Sequence, residues 1–262
     1  MIDIHNHLLF GVDDGSKDIE ESLTMVRQYM ESGFTGAIVT PHYDKERYLV
    51  DRDLAMTRKA DLEQVLKQKG IDFNLYLGNE IYLDEKSIQN IKNKTVSTMA
   101  DSHYVLVEFP FRGTPLYAGN LLYELRLEGY IPIIAHAERY EFVKKDFEFF
   151  TKLVNDGSFV QINYHSLEEK SPHRDMALKL LDLDVVSFLA TDSHGKLGRS
   201  PAVSSYIEFL KERYGDEKIQ EILDNPKYIL EDKLIPFKHL EEEVREEKKK
   251  KKGLLGRIFG RG

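Results

Sequence analysis

Nine residues of two chemical kinds recur at short intervals along the chain. His5 and His7 form an H-x-H pair, and Asp14 follows them in GVDDG. His42 stands in TPH, Glu80 in GNE, Glu108 in VEFP, His136 in HAER, and Asp192 and His194 in TDSH. Gathered in one pocket, these groups would repel or desolvate one another unless cations held them. Imidazole and carboxylate without sulfur suit borderline-to-hard divalent ions: Mn, Fe, Zn or Co. At roughly four to six ligands per ion, the nine suffice for two or three ions if carboxylates bridge and water completes the shells. Clustered ions activate bound water and clamp the oxygens of an in-line displacement, so the chemistry in view is phosphate-ester hydrolysis. Arg139 follows His136 by three residues and Arg199 follows His194 by five. A planar guanidinium matches phosphate oxygens bidentately. Each residue alone has a plainer reading: a strand-end His or Glu is commonly a satisfied polar group, and an Arg a surface ion pair. The joint pattern is what carries weight.

Those residues need elements to bring them together. Seven apolar, β-branched stretches read as strands: Ile2–His5, Gly36–Pro41, Phe73–Gly78, Tyr104–Phe109, Ile131–His136, Phe159–Asn163 and Val185–Thr191. Six of the seven carry His, Asp or Glu near the C-terminal end, and the other ends in Asn163, Tyr164 and His165. Helix-like segments alternate with them, at roughly 52–69, 84–92, 117–129, 146–156, 174–183, 201–214 and 216–223. The first helix is expected after Ser16 as N-cap, with Leu23, Val26, Met30 and Phe34 as its apolar stripe. Such alternation predicts a parallel sheet with crossover helices, either open and doubly wound or closed as a barrel, whose strand ends meet at one face.

The 262 residues include no cysteine, which excludes disulfides, cysteine-ligated metals and a thiol nucleophile. Neither a dinucleotide fingerprint nor a P-loop follows the first strand. The net charge of −8 divides unevenly. Residues 248–262 hold seven Lys or Arg and no acid, leaving the rest strongly acidic. A nucleic-acid partner is therefore not expected. No apolar run reaches membrane-spanning length and no signal-like start is seen, so a cytoplasmic protein is expected. Leu254, Leu255, Ile258 and Phe259 interleave with the cationic tail, which would suit peripheral contact with an anionic membrane face.

The segments MIDIHNHLLFGVDDGS, TPH, GNE, VEFP, AHAER and TDSH resemble the PHP (polymerase and histidinol phosphatase) superfamily, over about residues 1–235. Within it they are most similar to the bacterial protein-tyrosine phosphatases of CpsB/YwqE type, linked to capsule and exopolysaccharide synthesis. The resemblance implies a distorted seven-stranded (β/α) TIM-like barrel over residues 1–236, with 237–262 as a charged, flexible tail. It implies a Mn²⁺ site of up to three ions. His5, His7, Glu80 and Asp192 would hold one, Glu80, Glu108 and His136 a second, and Asp14, His42 and His194 the third. Arg139 and Arg199 match the family's phosphate-binding arginines. The implied substrate is a phosphotyrosine protein, in particular a membrane-associated bacterial tyrosine kinase. Competing expectations are a phosphatase of a small metabolite such as histidinol phosphate, a metal nuclease, and a non-catalytic metal-binding regulator. HAER and GxDDG argue against the first, and the acidic body argues against the nuclease.

Overall fold

The structure is a computed structural model that describes residues 1–237 and 240. The segment 248–262, expected to touch a membrane, lies outside the described residues. The strands are β1 (Ile2–Asp3), β2 (Gly36–Val39), β3 (His42–Asp44), β4 (Tyr48–Leu49), β5 (Asn74–Leu77), β6 (Glu80–Tyr82), β7 (Tyr104–Glu108), β8 (Ile131–Ile134), β9 (Phe159–Asn163) and β10 (Val186–Ala190). They pair in the orders β1-β2-β5 and β10-β9-β8-β7-β6-β3-β4, parallel throughout except for the small β3–β4 hairpin.

The two sheets are one ring. The chain runs directly from β2 into β3 and from β5 into β6, so each pair is one broken stave. The remaining seam, between β1 and β10, is closed by the Asn6–Ser193 bridge. There Asp192 N–H donates to His5 O at 2.8 Å and His7 N–H to Ser193 O at 2.9 Å. Seven staves therefore form the expected closed barrel. The breaks correct the expectation that His42 and Glu80 terminate strands: each opens the outer half of its stave. Pro41 has no N–H to extend the β2 ladder. Asn79 takes up the freed groups, donating to Pro41 O and Val50 O while its Oδ1 accepts from Ser97 N–H.

Alternation along the staves sorts the side chains. Ile4, Ile38, Leu106, Ile133, Phe159, Phe188 and Ala190 form a small cluster inside the ring, closed below by Met99, Tyr104, Ile229 and Ile235. Two further residues along the same face of β7, β9 and β10 come Glu108, Gln161 and Asp192. The apolar plug thus gives way to the polar groups of the C-terminal face. A larger apolar cluster lies between the staves and the surrounding helices.

Helix α1 (Ile19–Glu31) is capped by Asp18, which accepts from Glu21 N–H, and not by Ser16. Ser16 instead lies inside the loop, donating to Asp18 O. Its inner face carries Tyr29, whereas Met30, expected there, is 42% exposed. The Tyr29 hydroxyl lies 2.7 Å from each of Asp3 Oδ2, Thr191 Oγ1 and Ser193 Oγ. Asp3 also accepts from Thr191 N–H and from Asn6 Nδ2. Burial pushes the Asp3 carboxyl up, and the hydrogen bonds from Tyr29 and Thr191 oppose that rise. This buried network fastens the β1–β10 seam directly beneath the site. Beyond the boundary proposed at residue 236, Leu240 is buried and its N–H donates to Asn155 Oδ1.

Tyr29→Phe keeps the ring and leaves its hydroxyl partners short of one bond. Chemical denaturation of the metal-free protein should show a loss of about 1–3 kcal/mol. An unchanged midpoint would show that the seam does not depend on this hydroxyl.

Candidate active site

The outer ends of the staves and the loops that follow them carry the predicted residues to one face. Two of them stand in the left-handed region, His136 at φ +32° and Asp192 at φ +47°. For non-glycine residues this conformation costs on the order of 1–3 kcal/mol, offset by the surrounding structure. In both cases it turns the chain at the stave's end. The GVDDG loop folds back on the H-x-H segment: a Cβ on Gly15 would stand 2.2 Å from His7 O. Only glycine allows that approach, which sets Asp13 and Asp14 against the histidines.

All eleven predicted residues meet there. His5 Nε2 and His7 Nε2 lie 3.3 and 3.4 Å from Glu80 Oε2, and 3.7 and 3.6 Å from Asp192 Oδ1. His42 faces two carboxylates, with Nδ1 2.9 Å from Glu80 Oε2 and Nε2 3.3 Å from Asp14 Oδ1. His194 Nε2 is 3.4 Å from the same Asp14 oxygen. His136 Nε2 is 2.8 Å from Glu80 Oε1 and 3.7 Å from Glu108 Oε1. Three groups have donor atoms mutually within 4.8 Å: His7–Asp14–His42–His194, His5–His7–Glu80 and His42–Glu80–Glu108. Arg139 Nη1 and Arg199 Nη1 both donate to Asp192 Oδ2 at 2.8 Å. His165 does not join the cluster: its Nε2 donates to Ser200 O, and Tyr164 is buried.

Sequence reasoning missed the residues that orient these ligand candidates. Asp13 Oδ2 accepts from His7 Nδ1 at 2.8 Å and from His42 N–H at 3.1 Å. Gln161 Oε1 accepts from His136 N–H at 2.8 Å and lies 3.0 Å from His5 Nδ1. That acceptor places the neutral His5 proton on Nδ1 and leaves Nε2 aimed into the site. Asn163, at the end of β9, donates to Asp192 Oδ2 at 2.8 Å. The signals were present: a second Asp in DDG, and the inward phase of Gln161 and Asn163 on β9.

The donor set fits divalent cations on a direct observation. His5 Nε2, His7 Nε2, His136 Nδ1, Glu80 Oε2 and Glu108 Oε2 are buried without a hydrogen-bond partner. Such orphaned groups cost about 1–3 kcal/mol each unless something fills the space between them. The electrostatics say the same. Burial opposes charge on Glu80, yet His5 and His42 beside it hold its carboxyl well below the usual range. Burial likewise opposes charge on His42, yet Glu80 and Asp14 raise it to about 10. His7 is raised by Asp13 against the same burial penalty. Glu108, desolvated and beside Glu80, is pushed up to about 8, and desolvation lowers His136 to about 4.

At neutral pH the metal-free site therefore holds protons on His42, His7 and Glu108 that a cation must displace. Titration with a divalent ion should release protons, and affinity should rise with pH between about 6 and 8. Calorimetry in buffers of different ionisation enthalpy measures the release. Binding with no proton release would contradict this reading of the site.

Comparison with known proteins agrees with the geometry. The family described as "Capsular polysaccharide synthesis, CpsB/CapC" matches residues 1–231. CapC of Staphylococcus aureus is 34% identical over 232 residues, covering 88% of this chain and 91% of that protein. The tyrosine-protein phosphatase YwqE of Bacillus subtilis is 31% identical over 238 residues, covering 90% and 93%. A chain from the crystal structures of YwqE and of CpsB from Streptococcus pneumoniae, described as metal-dependent tyrosine phosphatases, superposes with a TM-score of 0.86. It is 29% identical and the match covers 91% of this chain and 97% of that one. With its barrel, its clustered donors and this extent of similarity, the chain belongs to the CpsB/CapC family of capsular polysaccharide synthesis.

Proposed function

We propose that the protein is a metal-dependent protein-tyrosine phosphatase that uses Mn²⁺ and acts on a membrane-associated bacterial tyrosine kinase of capsule or exopolysaccharide synthesis. The observation that carries the reading is the meeting, at Asp192, of two guanidiniums with the orphaned Nε2 atoms of His5 and His7. An anion-binding group beside a cation-binding cluster is what phosphomonoester hydrolysis needs. His5, His7, Asp14, His42, Glu80, Glu108, His136, Asp192 and His194 would hold the ions. Bound there, divalent ions would supply Lewis acidity and an activated water.

The chain's own residues do the rest. Arg139 and Arg199, paired with Asp192 Oδ2, present their remaining N–H groups to the phosphoryl oxygens as charge redistributes. Asn163 keeps Asp192 Oδ2 satisfied and its carboxylate fixed. The phenolate of tyrosine has a conjugate acid near pH 10, roughly the free side-chain value, so departure needs little acid assistance. No cysteine exists to form a phosphothiol, and the nearby carboxylates are engaged with imidazoles and arginines.

The rim favours a protein over a small metabolite. Leu49 beside β3, Leu116 after β7 and Leu197 between His194 and Arg199 are 59%, 76% and 82% exposed. Exposed apolar side chains on three segments that adjoin site-bearing residues in the chain suit a macromolecular surface. No helix among the described residues is long and apolar enough to cross a membrane. Peripheral contact by 248–262 is part of the same proposal and rests on its seven cationic and four large apolar residues.

With Mn²⁺ the protein should hydrolyse a phosphotyrosine peptide faster than histidinol phosphate, and chelation should abolish both activities. Arg139→Ala should lose about 10²–10³-fold in kcat/KM while retaining its metal by elemental analysis. A wild-type protein that binds the metal but leaves the peptide intact would overturn the proposal. For the tail, co-sedimentation with anionic liposomes should fall when 248–262 is deleted, and equal partitioning would remove membrane contact from the reading.

A further inference from the structure

The arginines and the metal-ligand candidates account for a phosphate and say nothing of the ring that distinguishes phosphotyrosine from other phosphomonoesters. One side chain outside that machinery touches both halves of it. Phe111 lies three residues beyond Glu108 in the loop after β7. Its ring centroid is 4.7 Å from the Arg139 guanidinium carbon and 5.4 Å from the His136 ring. Tyr140, fully buried, stacks on it at 5.6 Å with planes 25° apart. The Tyr140 hydroxyl accepts from Phe109 N–H at 3.1 Å, so the stack is anchored to the stave itself.

We infer that Phe111 is the specificity-determining residue for the aryl group of the substrate, its partly exposed edge forming the wall against which the phosphotyrosine ring lies. The inference rests on the phosphatase reading above. Three physical points carry it. Phe111 is held rigidly, by Tyr140 on the buried side and by Arg139 through a cation–π contact. It is only partly buried, so apolar surface remains beside the guanidinium that would hold the phosphate. The ring of an aryl phosphate begins one ester bond from phosphorus, so a phosphate at Arg139 brings that ring to the nearest apolar surface. Aromatic pairs meet favourably edge to face, which needs only the free edge of Phe111. Leu49, Leu116 and Leu197 are each more exposed than Phe111 and would meet the peptide, not the ring.

The test uses two non-hydrolysable probes, phenylphosphonate and methylphosphonate, as competitive inhibitors of the Mn²⁺-loaded full-length enzyme. Both carry the same anionic head, and only one carries a ring. In Phe111→Leu the inhibition constant for phenylphosphonate should rise about tenfold relative to that for methylphosphonate. Phe111→Tyr should restore the wild-type ratio. If both constants rise together, Phe111 serves only to hold Arg139 and the inference falls. It falls equally if neither changes. Absence of phosphotyrosine hydrolysis by the wild type would instead defeat the phosphatase reading. Should Phe111→Leu fold poorly, judged by circular dichroism, Phe111→Met provides a side chain of similar volume without a ring, and the same ratio decides.

Discussion

Asp192 is the residue at which two incompatible demands meet. Its Oδ1 faces His5, His7 and His194 at 3.4 to 3.7 Å, while its Oδ2 accepts three hydrogen bonds of 2.8 Å from Arg139, Arg199 and Asn163. A carboxylate buried this deeply would ordinarily be neutralised. Burial does oppose its charge, but His5, Arg199, His7 and His194 outweigh that and hold it well below the usual range. One oxygen thus faces the imidazoles and would serve the cations, and the other faces the guanidiniums that would hold the phosphate.

Keeping that carboxylate in place falls to the barrel seam. Asp192 is the second residue after β10, and its own N–H is pinned to His5 O. Just below, Asp3, Tyr29, Thr191 and Ser193 share one hydrogen-bonded network. A buried polar network of this kind is costly when partly satisfied and rigid when complete. It ties helix α1 to both staves that supply His5, His7, Asp192 and His194. The left-handed turn at Asp192 can persist because the chain on either side is held by these bonds.

Much of this was legible in the residue order. Seven staves follow from β-branched runs, and ligand candidates follow from His, Asp and Glu recurring at their ends. What was not legible depended on three dimensions. Ser16 and Asp18 are equally good caps in a list of residues, and only the folding of the GVDDG loop onto His7 decides between them. Met30 and Tyr29 both suit a helix face, and Tyr29 prevails because its hydroxyl has partners inside. The breaks before His42 and Glu80 depend on Asn79 reaching Pro41 O and Val50 O, a contact across sequence that no local pattern carries. Asp13 was hidden by Asp14: adjacent and chemically identical, they take opposite roles, one buried behind His7 and one 45% exposed at the mouth.

The absence of cysteine and the excess of acid bear on one another. Four charged carboxylates, Asp13, Asp14, Glu80 and Asp192, surround the metal-free site against two guanidiniums, while Glu108 holds its proton. A phosphate dianion entering that field unaided would be repelled, since unit charges 4 Å apart interact by about 4 kcal/mol at an effective dielectric constant of 20. Protonated His42 and His7 offset that field, but those same protons occupy the nitrogens that a metal ion needs. Divalent ions held there would answer both difficulties, replacing single charges on imidazole with double charges and making the pocket that phosphate meets positive. A thiolate would have added one more negative charge to a site whose carboxylates are only just balanced. Hydrolysis by activated water is thus the route consistent with both the composition of the chain and the charges its fold brings together.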